Sequence, residues 1–136
     1  MNKQKITVDN TASQSAVLSE FLLAYLKNNE ISADIFDDLR LVVEETFINI
    51  SRYAYPPDVT KSVDIEIEHS TGCVNITFID TGYEFNPLTD NTKPIDTENY
   101  CEGGMGIHLI KSLTDEQRYK RVDQHNVFTV TKHYTK

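Results

Sequence analysis

Apolar residues recur at two different spacings along the chain, and the change of spacing separates helices from strands. Val17, Leu18, Phe21, Leu22, Tyr25 and Leu26 fall at helical spacing. Thr11 or Ser13 is placed to cap that helix near Ala12, and Asn28-Asn29 ends it. Ser32 would cap a second helix from Ala33 to Ala54. Its apolar arc holds Ile35, Leu39, Val42, Val43, Thr46, Ile50 and Tyr53, and Pro56-Pro57 stops it. The spacing then changes to two. Val63, Ile65 and Ile67 alternate with Asp64, Glu66 and Glu68, which predicts a strand with one wet face. Thr71-Gly72 supplies the turn into a second strand through Val74, Ile76 and Phe78, ending at Asp80.

Residues 83–102 carry no clean period and include Pro87 and Pro94, so they read as a loop long enough to be a functional lid. Gly103-Gly104-Met105-Gly106 follows and opens a helix through Ile107, Leu109, Ile110 and Leu113. Strands are expected near Glu116 to Val122 and Val127 to Tyr134, and a short edge strand from Lys5 to Val8. Helices and strands do not alternate regularly, which disfavours a doubly wound parallel sheet. The expected class is α+β: a two-layer sandwich with a mixed, mainly antiparallel sheet and helices on one face.

The 136 residues, 39% hydrophobic and 25% charged, suit one compact domain over 1–136. No apolar run reaches the roughly 18 residues of a membrane span. Lys3 and Lys5 are not followed by an apolar stretch, so no signal peptide is expected. Cys73 and Cys101 form no CxxC pair and read as reduced thiols of a cytoplasmic protein. The net charge of −8, with only Lys120-Arg121 adjacent among the basic residues, argues against direct nucleic-acid binding. The four histidines are dispersed without zinc-ligand spacing.

Three short patterns carry candidate chemistry. Glu45 and Asn49 lie one turn apart on the second helix, flanking its apolar arc. An amide oxygen is a suitable hard ligand for Mg²⁺, and a nearby carboxylate can deprotonate a hydroxyl. Asp80-Thr81-Gly82 ends an apolar strand, where a carboxylate can accept from an exocyclic amine and a glycine permits close approach. Gly103, Gly104 and Gly106 hold three of the five glycines just before a helix, a placement that suits phosphate. No Lys-Ser/Thr follows them, so this is no Walker A motif. Each pattern also has an ordinary structural reading: a solvated helix edge, a strand-to-loop turn, a hinge.

Their order and context resemble the GHKL ATPases of the Bergerat fold. Glu45-x-x-x-Asn49 is similar to the N box, and Asp80-x-Gly82-x-x-Phe85-Asn86-Pro87 to the G1 box. Gly103 to Ile110, followed by Asp115 and Tyr119, is similar to the G2 box and the strand after it. The segment GGMGIHLIKSLTDEQRY resembles the small anti-sigma-factor serine/threonine kinases of the RsbW and SpoIIAB type. The resemblance covers about residues 10–134 and implies the following roles. Asn49 would hold Mg²⁺ bridging the ATP phosphates, and Glu45 would be the catalytic base. Asp80 would bind the adenine amino group with Gly82 beside it. Gly104, Met105 and Gly106 would line the phosphates, and residues 86–102 would form the ATP lid. Arg52 would either reach a phosphate or remain a solvated helix charge.

The implied function is ATP-dependent phosphorylation of a STAS-type anti-anti-sigma partner, together with sequestration of a sigma factor, by a homodimer. The alternative is a non-catalytic, nucleotide-regulated binding module. Two departures bear on that choice. His125-Asn126 stands where the family often has Gly-Thr, leaving Asn126 or Thr129 to take the threonine's part. Glu102 precedes the glycines in place of an arginine, and its charge would weaken phosphate binding.

Overall fold

The computed structural model describes residues 2–56, 58–88 and 108–135. Five strands form one sheet: β1 (Lys3–Asp9), β2 (Ser62–Ser70), β3 (Cys73–Asp80), β4 (Glu116–Val122) and β5 (His125–His133). Their spatial order is β1-β2-β3-β5-β4, and all four pairings are antiparallel. The sheet is thus the antiparallel limit of the α+β architecture expected from the sequence. Helices α1 (Ser15–Asn28) and α2 (Phe36–Tyr53) precede β2, and residues 108–113 form a third helical segment, α3.

The period-two pattern decides which face of the sheet the helices cover. Val63, Ile65 and Ile67 of β2, Val74, Ile76 and Phe78 of β3, and Phe128 and Val130 of β5 are all buried. Leu18, Leu22, Tyr25 and Leu26 of α1 and Leu39, Val42, Val43, Phe47 and Ile50 of α2 pack into the same core. Each such side chain contributes about 1.5–3 kcal/mol when fully buried. The opposite face stays polar, with Lys3 paired to Glu66 at 3.2 Å and Thr77 bonded to Thr129 at 3.0 Å. Exposed ion pairs of that kind contribute little, so the helix-covered face holds the sheet together.

Some local expectations are corrected. Thr11 occupies the cap position of a 3-10 turn (Ala12–Gln14) but makes no side-chain cap bond. Its N–H instead donates to Asp9 Oδ1, and α1 proper starts at Ser15. Val17 is 40% exposed and lies off the buried stripe of α1. Ser32 does cap, accepting from Asp34 N at 3.1 Å, but at a 3-10 turn (Ala33–Ile35) that feeds α2. The Thr71-Gly72 turn is present, with Gly72 at φ +82° as the tight hairpin requires. The fifth strand begins two residues earlier than expected, at His125.

Candidate functional site

The C-terminal end of α2 meets the C-terminal end of β3, and this apposition brings the Asp80–Gly82 segment against the helix that carries Glu45, Asn49 and Arg52. Tyr83 N donates to Ala54 O at 2.7 Å. A Cβ on Gly82 would lie 2.3 Å from Ala54 O and 2.8 Å from Ala54 Cβ. Glycine is therefore demanded at this position by the helix behind it, a reason the strand-end pattern did not reveal. Tyr53 stacks on Phe85 with ring centroids 5.6 Å apart, and Tyr55 Oη accepts from Thr81 N at 3.2 Å. Ala54, Tyr55, Gly82, Tyr83 and Arg121 line a cleft of about 400 Å³ beside this junction.

Asp80 is 2% exposed, at the last rung of β3. Its Oδ1 accepts from Gly82 N at 2.8 Å and from Asn126 Nδ2 at 2.9 Å. Burial raises the carboxyl pKa above its ordinary value, while Asn126, Gly82, Arg121 and His125 oppose the rise. Register makes this arrangement possible: Asp80 lies directly opposite Asn126, and Asn126 opposite Arg121. The β4–β5 register is set in turn by a two-residue turn, Asp123-Gln124, with both residues at positive φ. Asn126 is 2% exposed, and its Oδ1 accepts from Tyr119 Oη at 2.6 Å and from Phe85 N and Arg121 Nη1 at 3.1 Å each. Arg121 Nη1 also donates to Gly82 O at 2.8 Å. Sequence reasoning offered Asn126 or Thr129 for the threonine's part without choosing between them and assigned Arg121 no part in the site; the hairpin register was the signal that would have linked Asn126 and Arg121 to Asp80.

Farther along α2 two buried polar atoms have no hydrogen-bond partner among the described residues. Asn49, expected at the rim of the apolar arc, is 3% exposed, and its Nδ2 has no hydrogen-bond partner among the described residues. Thr46, one turn earlier on the same side of the helix, is fully buried with its hydroxyl equally unpaired. Leaving such a group unsatisfied costs about 1–3 kcal/mol, a cost that an ordered water, an ion or a ligand relieves. Glu45 is half-buried. At 1.5 Å rise per residue, Asn49 lies about 7.5 Å and Glu45 about 13.5 Å along the axis from Ala54. Arg52 is exposed in the last turn of α2, where a cation complements the helix dipole.

Gly104, Met105 and Gly106 lie outside the described residues, as does residue 102 and most of the expected lid; only 86–88 of that segment are described. Just beyond the glycines, Ile110 of α3 is fully buried in the core. Thr114 closes α3 by donating to Ile110 O at 2.6 Å, and Asp115 Oδ2 accepts from His133 N at 2.7 Å. Thr129, the other candidate for the family's threonine, bonds Thr77 on the polar face. It is therefore on the wrong side of the sheet from Asp80, and Asn126 alone reaches the carboxylate. A second cleft of about 550 Å³ opens beside Asn29, His69 and Tyr134 and contains none of the predicted site residues.

Comparison with known proteins agrees with the fold. The histidine kinase-like ATPase domain family matches residues 8–132. The chain is 28% identical to the serine-protein kinase RsbW of Bacillus licheniformis over 108 residues, covering 74% of this chain and 66% of the relative. A crystal structure of the RsbU and RsbW domains of a Mycobacterium tuberculosis protein superposes with a TM-score of 0.70 at 18% identity. That likeness covers 98% of this chain and 32% of the other, and it shows a shared fold. The chain thus spans just under two thirds of the length of the curated relative it matches and about a third of the solved one.

Proposed function

This chain belongs to the histidine kinase-like ATPase domain family, and from that premise we propose that it is an ATP-dependent serine/threonine protein kinase of the anti-sigma type. The observation that carries this reading is the polar axis along α2. Glu45 and Asn49, the latter with an unpaired Nδ2, lie along α2 behind the end that packs against the Asp80–Gly82 end of β3. A nucleotide has the same order of chemistry: a base with an amino group, then phosphates, then the phosphorus to be attacked.

The residues present fit such a ligand. The buried Asn49 Nδ2, a donor without a partner among the described residues, suits a phosphate oxygen that arrives from outside. Among the described residues no three His, Cys, Asp or Glu side chains cluster as a metal site. A Mg²⁺ ion would be held, as the family resemblance implies, by the Asn49 amide oxygen together with phosphate oxygens and water. Bound Mg²⁺ and ATP would supply the transferable phosphoryl group and neutralise its charge. Asp80 would accept from the adenine amino group, with Gly82 keeping β3 against α2. Glu45 would take the proton of the attacking serine or threonine hydroxyl. Gly104, Met105 and Gly106 would supply backbone N–H groups to the phosphates, and Arg52 would add a cation at their edge.

The name of the RsbW relative supports a serine in a protein as the acceptor. The family resemblance supports a STAS-type substrate, a sequestered sigma factor and a homodimer. No helix among the described residues is long and apolar enough to cross a membrane. Transfer of labelled γ-phosphate from ATP to a STAS-domain protein tests the proposal, with Glu45→Ala as the control. The expected result is transfer by the unaltered protein, and a loss of about 10²–10⁴-fold in Glu45→Ala with ATP binding retained. Retained binding without transfer by either protein would favour the nucleotide-regulated binding module instead.

A further inference from the structure

Asn126 stands out because every polar atom of its side chain is used and all its partners matter to the nucleotide end. Nδ2 donates to Asp80 Oδ1 at 2.9 Å and to Tyr83 O at 2.8 Å. Oδ1 receives Tyr119 Oη, Phe85 N and Arg121 Nη1. The three donors to Oδ1 fix the orientation of the amide, so Nδ2 has no choice but to face the carboxylate. Two donors, Gly82 N and Asn126 Nδ2, then converge on the same oxygen of Asp80. No described residue donates to its other oxygen.

We infer that Asn126 is a positioning residue for base selection, holding Asp80 as a one-sided acceptor for the exocyclic amine of a 6-aminopurine. The inference rests on Asp80 being the base-contacting residue. An ionised carboxylate only accepts hydrogen bonds, whereas a protonated one also donates. With one oxygen saturated, the ionised group offers the other to an amine and has nothing to give a 6-keto purine. Without Asn126 the carboxyl is free to turn about its Cβ–Cγ bond. Burial would then favour the protonated form, which can pair with a keto oxygen. Loss of the asparagine should therefore relax the choice of base more than it weakens the grip on phosphate.

Asn126→Thr and Asn126→Val separate the donor from the packing. The two residues have nearly the same shape and both suit a strand, but only threonine can donate to Asp80. Binding of ATP, inosine triphosphate and inorganic tripolyphosphate to the full chain is the readout. The unaltered protein should prefer ATP over the inosine nucleotide by about 10- to 100-fold, the range expected for a hydrogen bond to a charged group. Asn126→Thr should keep that ratio within about threefold, and Asn126→Val should bring it close to one, with tripolyphosphate affinity unchanged throughout. Should Asn126→Val not fold, Tyr119→Phe removes one bond that fixes the amide and should lower the ratio about three- to tenfold. An unchanged ratio in Asn126→Val, or in Tyr119→Phe where valine does not fold, overturns the inference while leaving the nucleotide site standing. Failure of the folded, unaltered protein to bind ATP overturns both.

Discussion

The two ends of the polar axis are built in opposite ways. At the Asp80 end, the carboxylate's Oδ1, the Asn126 amide and the Arg121 guanidinium are already hydrogen-bonded to one another or to Gly82. At the Asn49 end, two polar atoms are equally deep but have no partner among the described residues. A saturated network holds its geometry before a ligand arrives, which suits recognition of one fixed base. Unpaired buried atoms store a cost that a ligand can relieve, which suits a site completed by cation and phosphate. The fold joins the ends where β3 meets the end of α2, with Gly82 against Ala54, Tyr83 N bonded to Ala54 O and Tyr53 stacked on Phe85.

Breaking that junction should have the largest effect on stability. Gly82→Ala puts a methyl 2.3 Å from Ala54 O, and backbone on both sides must move. A loss of about 2–4 kcal/mol is expected by denaturant unfolding. Asp80→Asn should separate function from stability at the saturated end. The change removes the acceptor-only group, and ATP affinity should fall by about 10- to 100-fold in a binding titration. Stability should not fall with it. Burial raises the native carboxyl pKa above the unfolded value, so the native state holds the proton more tightly. Stability from this group is lost as pH rises from the ordinary carboxylate range through the raised pKa, and Asp80→Asn should flatten that part of the profile. The smallest effect is expected at the unpaired end. Thr46→Val keeps the shape and removes an unsatisfied hydroxyl, so it should stabilise by about 0.5–1 kcal/mol, or roughly 2–4 °C in melting temperature.

The same contrast marks what the sequence could reveal. Residues four apart on a helix share a face whatever surrounds them, so Glu45 and Asn49 were legible from spacing alone. The depth of Asn49 was not, because periodicity gives an angle around α2 and not what packs against it. The β2–β3 hairpin followed from alternation and its Thr71-Gly72 turn, whereas the order of the other strands in the sheet did not. Asn126 could be read as a stand-in for the family's threonine, but with no way to prefer it over Thr129. Its role depends on the β4–β5 register, which is set by Asp123 and Gln124 at positive φ rather than by a recognisable Asn-Gly turn. Gly82 was legible as a glycine needing close approach, but the approaching group is Ala54 of the helix behind it. Local pattern thus exposed Glu45, Asn49 and the glycine cluster, while the network around Asp80 and Asn126 needed tertiary register.

Titration calorimetry of ATP against the full chain, with and without Mg²⁺ and alongside Asn49→Ala, tests the central claim most directly. The account predicts magnesium-dependent binding by the unaltered protein and its loss in Asn49→Ala, which should remain folded because the amide it removes has an unpaired nitrogen. Binding of equal strength in Asn49→Ala, or no ATP binding by the folded protein, would contradict it.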